Sequence, residues 1–192
     1  MRNLFLFLFL FFSFPQNILS EDISTELLVA TTNMPDPRFK ETVIFMFYHN
    51  EEGAAGLVVN KPLSTISIIE LFKDNNITLP EKIVQNEITL YWGGPVHPER
   101  LFFIHSSDYD SSNPIFSNKN LIVTQSAEIL FDIATNNGPK KYLILSGIAA
   151  WDPGQLDFEI DQDGWSKKIN SYSSIFDNEN EMWNRIINSK DI

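Results

Sequence analysis

The chain has 192 residues, 14 of them basic and 25 acidic, for a formal net charge of −11, and it contains no cysteine. The missing cysteines exclude disulfides, thiolate nucleophiles, cysteine-based zinc sites and iron–sulfur clusters. The acidic balance repels phosphate backbones and argues against a general nucleic-acid binder; Lys140-Lys141 and Lys167-Lys168 are isolated pairs rather than a basic stripe.

The N-terminus reads as an address. Arg2 precedes Leu4 to Phe14, a run of eleven residues that is apolar except for Ser13, and Pro15, Gln16 and Asn17 break it. Such a run is too short for a membrane-spanning helix, which needs roughly 20 residues, and suits a signal-peptide core. Ser20 offers a small residue before Glu21-Asp22, whereas Ile18 departs from the small residue preferred three positions before a cut. Residues 1–20 are therefore expected to be a signal peptide, with an uncleaved anchor and a misassigned start as the alternatives. Removing them leaves 13 basic and 25 acidic residues, a net charge of −12. Residues 21–192 are expected to form one domain, able to bury roughly 70% of its unfolded surface.

Along that domain, Glu26 to Thr31 reads as a buried strand, and Pro35 and Pro37 exclude helix after it. Thr42 to Tyr48, β-branched and aromatic, is a strand; His49 to Gly53 is a turn, and Ala55 to Val59 returns as the hairpin partner. Ser67 and Glu70 have capping-box spacing before a short helix carrying Ile68, Ile69 and Phe72 and ending near Asp74-Asn75-Asn76. Ile88 to Trp92 is a strand that stops at Gly93-Gly94-Pro95, and Leu101 to Ile104 leaves that turn as another. Ser106 to Asn113 is a surface loop and Leu121 to Val123 a brief strand. Ala127 to Asn136 is a helix with Ile129, Leu130, Ile133 and Ala134 on one face, ended by Gly138 for a left-handed cap and Pro139. Tyr142 to Leu145, apolar throughout, is a central strand. Trp151 to Ile160 alternates like a strand, yet Asp152, Pro153 and Gln155 suit a helix start, which favours a short helix. A last helix spans Glu179 to Asn188 with Met182, Trp183, Ile186 and Ile187 inward. Strands and helices mix without regular alternation, so the expected class is α+β with a largely antiparallel or mixed sheet.

Four blocks, in order, resemble the YqgE/AlgH family: Leu27 to Ala30 with Met34, Asp36 to Phe39 and Thr42-Val43; Gly53 to Pro62; Gly93 to Val96 with Arg100 and Ile104-His105; and Gly147 to Trp151 with Gly154 to Leu156, Glu159-Ile160 and Trp165. They cover about residues 26–188. The resemblance implies a compact single α+β domain whose bent, partly barrel-like sheet is surrounded by helices. It implies no established enzymatic activity; one branch is named for a proposed role in transcriptional regulation of alginate production. Ala150 stands where the family usually has glycine, which is expected to crowd a close contact. The leader is also atypical, since members generally look cytoplasmic. Export to the periplasm is expected if the leader is cleaved, and a cytoplasmic protein otherwise.

The candidate site residues follow from these blocks. Asn60, Arg100, His105, Gln155 and Glu159 are matched polar residues near the ends of apolar elements, expected to share one surface. Gly93, Gly94, Pro95 and Gly154 shape its turns, Trp151 lies beside one of them, and His97 follows the Gly-Gly-Pro turn. Glu159 is expected to pair with Arg100 or Arg38. No histidine pair has the spacing of a helical metal site, and no Gly-x-Gly-x-x-Gly or P-loop supports a nucleotide cofactor. A nucleophile elbow is also missing. The chain therefore reads as a non-enzymatic domain that binds an unidentified protein or small molecule. A metal-independent hydrolase using His97 or His105 with a carboxylate is one alternative, and a transcriptional regulator by family analogy is the other.

Overall fold

The computed structural model describes residues 26–169, 172–176 and 179–189; the leader of residues 1–20 lies outside them. Ten strands form one open, bent sheet: β1 (Glu26–Ala30), β2 (Val43–Asn50), β3 (Gly53–Val58), β4 (Pro62–Ser67), β5 (Glu87–Trp92), β6 (Val96–Ser106), β7 (Phe116–Ser117), β8 (Leu121–Thr124), β9 (Tyr142–Trp151) and β10 (Trp165–Ile169). Four helices surround it: α1 (Ile68–Asp74), α2 (Glu128–Thr135), α3 (Gln155–Asp161) and α4 (Glu179–Ile187). The strand order is β10-β1-β2-β3-β9-β6-β8-β7, with β5 also beside β9 and β4 beyond β5. Pairing is antiparallel except between β5 and β9.

Strand β9 is the axis, and its backbone explains the bend. Its first half lies between β5 and β6, with Leu90 opposite Ile144 and Ile104 opposite Leu143. Its last residues pair instead with β3, Ala54 opposite Trp151. The change of neighbour occurs at Gly147, whose φ of +74° is left-handed backbone that favours glycine. There the end of β5 crosses β9 at backbone contact. Gly93 donates its N–H to the Ser146 carbonyl at 2.8 Å, and its own carbonyl accepts from Val58 N–H at 2.9 Å. A Cβ on Gly93 would stand 2.2 Å from the Gly147 oxygen, one on Gly94 2.1 Å from the Ile148 carbonyl carbon, and one on Gly147 2.3 Å from the Gly94 oxygen. All three positions exclude any side chain.

Both faces of the central strands are covered, so the apolar runs need no alternation. Leu27, Val29, Val43, Phe45, Phe102 and Leu145 pack inward with Met182 and Ile186 of α4. The opposite side chains, Leu28, Ile44 and Val58, pack with Leu156, Trp151 and Trp165. A third core joins Phe103 and Ile144 to α1 and α2.

Several elements differ from the sequence expectation. Strand β4 forms between the hairpin and α1, where no element was expected; its first four residues are exposed, so no apolar pattern marks it. Strands β7 and β10 also escape the reading, one being two residues long and the other carrying Lys167 and Lys168. Strand β6 begins at Val96 and shifts register before Leu101. Helix α2 ends at Asn136, which takes the left-handed cap (φ +64°) assigned by sequence to Gly138; asparagine is the residue that sometimes replaces glycine there. Among the described residues no helix is long and apolar enough to cross a membrane.

The glycine contacts predict a contrast. Gly147→Ala should cost more than about 3 kcal/mol, since a left-handed φ and a backbone clash act together. Gly154 shares the φ of +74° but faces open space within 4 Å, so Gly154→Ala should cost only about 1 kcal/mol. Urea denaturation of both variants measures the difference.

Candidate functional site

Beyond the bend, β9 delivers Trp151 to the surface turn Asp152-Pro153-Gly154. Gln155 N–H donates to the Asp152 carbonyl at 3.0 Å, and Asp152 N–H donates to Gln155 Oε1 at 3.0 Å. The Gln155 side chain thus reaches back as a capping partner does, but the Asp152 side chain does not cap the helix: Gly154 occupies the cap position, without a side-chain cap bond. Helix α3 then buries Leu156 and presents Glu159 to two tryptophans.

Glu159 is where the site converges. Its Oε2 accepts from Trp151 Nε1 at 3.0 Å and from Trp165 Nε1 at 2.8 Å, and its Oε1 accepts from Gln155 Nε2 at 2.9 Å. An indole N–H can only donate, so each tryptophan, buried to within a few per cent, requires such an acceptor. The two indoles meet edge to face, centroids 5.9 Å apart. Phe39 extends the aromatic set, 5.5 Å from Trp165 and 5.3 Å from Trp92. Beside it, Arg38 grips Asp36 through two nitrogens, Nη2 to Oδ2 at 2.6 Å and Nε to Oδ1 at 3.1 Å. Those bonds hold the Asp36 carboxyl below its usual range. The expected Glu159–Arg pairing is thus not formed: Arg38 is taken by Asp36, and the carboxylate nearest Arg100 is Glu99, at 3.9 Å.

These residues line a cleft of about 300 Å³ between Met34, Phe39, Pro95, Trp151, Phe158 and Trp165. A second cleft of about 190 Å³ shares Ala150, Trp151 and Gln155 with it and adds His97 and Arg100. Ala150 lines both and pairs with Ala55 across the sheet. Of the sequence candidates, Pro95, Trp151, Gln155 and Glu159 meet in the first cleft, and His97 and Arg100 meet in the second.

The others serve the fold. Asn60 is buried, accepting from Val43 N–H at 2.8 Å and donating to the Glu41 carbonyl at 2.9 Å. Gly93 and Gly94 form the crossing, and Gly154 the turn. His105 is fully buried, with Nδ1 2.9 Å from the Ser106 carbonyl and Nε2 3.1 Å from Ser111 Oγ. A carbonyl only accepts, so Nδ1 carries the proton and Nε2 accepts from the serine. The single surface expected of Asn60, Arg100, His105, Gln155 and Glu159 is therefore not formed, because the inward-pointing amide and imidazole satisfy backbone and core partners instead. Phe158 was not among the sequence candidates, and it stands 64% exposed on the rim of the cleft. The opposed positions of Leu156 and Phe158 on one short helix were the available signal.

A family model described as AlgH-like matches residues 27–192. The chain belongs to the YqgE/AlgH family. Among relatives of this AlgH-like chain, a UPF0301 protein of Jannaschia sp. is 33% identical over 89% of this chain and 90% of its own. A UPF0301 protein of Burkholderia thailandensis is 38% identical over 75% of each. The AlgH protein of Pseudomonas aeruginosa, solved in solution, superimposes with a TM-score of 0.71 at 31% identity, over 87% of this chain and 89% of that one. A Corynebacterium diphtheriae protein shares the fold, with a TM-score of 0.58 at 20% identity over 82% of this chain and 80% of that one.

Two outcomes follow. Glu159→Leu strands two buried indole N–H groups and should cost about 2–4 kcal/mol, against about 1 kcal/mol for Glu159→Gln, which keeps one acceptor oxygen; urea denaturation compares them. Burial pushes the His105 pKa below its ordinary 6.5, with the Ser106 bond and the Asp108 charge opposing. The unfolded chain therefore takes up the proton first: stability is whole above about pH 6.5 and falls as pH drops below it. His105→Gln should be less stable at about pH 7.5 but should lose less between that pH and about pH 5.5.

Proposed function

We propose that this AlgH-like chain is a non-enzymatic binding domain whose ligand or partner enters the cleft beside Trp151 and Trp165. The observation that carries this reading is an apolar, aromatic hollow with a few placed polar groups, the usual make-up of a ligand site. The ring of Phe158 stands exposed at its rim, within reach of a bound ligand or partner. Glu159 acts here as an organiser: three of its acceptor sites hold Trp151, Trp165 and Gln155, which leaves it poorly placed for proton transfer.

Hydrolysis draws on a different observation. His97 Nδ1 lies 3.2 Å from Glu99 Oε1, the histidine–carboxylate contact that reading requires. Both side chains are well exposed, however, and Glu99 also faces Arg100, which favours a surface charge cluster. Direct transcription control is opposed by the net charge of −11. Export through residues 1–20 belongs to the same proposal and places the partner in the envelope.

A thermal-shift screen of small molecules and peptides tests the binding reading. Compounds that raise the Tm of the wild-type protein should fail to do so for Phe158→Ser, whose own stability should change by no more than about 0.5 kcal/mol. Equal shifts in both proteins, or turnover in esterase, phosphatase or peptidase assays, would contradict it.

A further inference from the structure

The charges around the cleft are unequal in a way that names a ligand chemistry. Asp36 is neutralised by Arg38 at 2.6 Å. Glu159, by contrast, has three neutral donors, and among the described residues no arginine, lysine or histidine lies within salt-bridge distance of it. Neutral donors stabilise a carboxylate without cancelling its charge. The cleft therefore holds one uncompensated negative charge, set among the rings of Phe39, Trp151, Phe158 and Trp165. Aromatic faces carry negative potential and attract cations, most strongly for tryptophan.

The chain already shows the arrangement once. Arg38 Cζ stands 5.9 Å from the Phe39 ring centroid while its nitrogens hold Asp36, so carboxylate, cation and ring sit together at the cleft's edge. The Glu159 half has the carboxylate and the rings and lacks the cation. An overall charge of −11 concentrates cations around the molecule and repels competing anions.

We infer that the cleft beside Trp151 and Trp165 receives an alkylammonium group, from a small free ammonium compound or from the lysine side chain of a partner, with Glu159 supplying the counter-charge. This rests on the binding reading above and narrows it to one chemical class. No bond is made or broken.

The two indole N–H groups bound to Glu159 report on it directly. In 1H–15N spectra of the full chain, choline and N-acetyl-lysine methylamide should each move the Trp151 and Trp165 indole resonances in a saturable way. The probe that binds more tightly identifies the small-molecule or the side-chain source. The uncharged isostere of choline, 3,3-dimethylbutan-1-ol, should move them little. Glu159→Gln, which keeps an acceptor for the indoles, should weaken choline binding about tenfold. Should that variant be poorly folded, the choline–alcohol comparison on the wild-type protein decides alone. Equal binding of choline and the alcohol would overturn the ammonium inference while leaving the cleft a binding site. No movement with either charged probe would likewise overturn the ammonium inference, and the thermal-shift screen decides the binding reading separately.

Discussion

The constraint on which the structure depends is a backbone crossing with no room for a side chain. Gly93 and Gly94, at the end of β5, lie against Gly147 in the middle of β9, and each would need its neighbour to move if it carried a Cβ. The crossing lets one strand serve two parts of the sheet: β5 and β6 flank its first half, and β3 takes its last residues. The left-handed residue at 147 stands where β9 passes from β5 to β3, four residues before Trp151. The bend spends conformational freedom at three glycines, and the well-filled cores on either side offset that cost.

What the bend delivers is a tryptophan in need of an acceptor. Trp151 arrives from β9, Trp165 from β10, and Glu159 from the helix between them, so one carboxylate ties two strands and α3 together. The pairing of β10 with β1, Ala30 opposite Trp165, carries this link to the edge of the sheet. On the far side of β1, Trp183 of α4 donates to the Ala30 carbonyl at 2.7 Å. The cleft is thus a by-product of structural hydrogen bonding, and its polar groups are held in place before any ligand arrives. That preorganisation lowers the ordering cost of binding.

Much of the fold was legible because burial on both faces writes itself as continuous apolar sequence. Val43 to Phe47 and Tyr142 to Leu145 need no alternation to be read as strands, and the inward faces of α2 and α4 carry clear helical spacing. Exposed β4 leaves no such trace, since Ser64 and Thr65 belong as well to a loop. The Gly-Gly-Pro turn was readable, but its contact was not: nothing near Gly93 in sequence points to Gly147, more than fifty residues away. The site was half legible for the same reason. Charge suggested an arginine for Glu159, whereas two indole donors, brought in from either side of α3, occupy it. Asn60 and His105 resemble ligand residues in one dimension and prove to be internal fasteners in three.

The bend, the two tryptophans and Glu159 are together proposed to build a place for something else to bind. Soaking crystals of the protein with a diverse fragment set tests it most directly. Fragments should gather between Phe39, Trp151, Phe158 and Trp165, in contact with the aromatic rings and with both indoles still bound to Glu159. Fragments spread over other surfaces, with that cleft left empty, would contradict it.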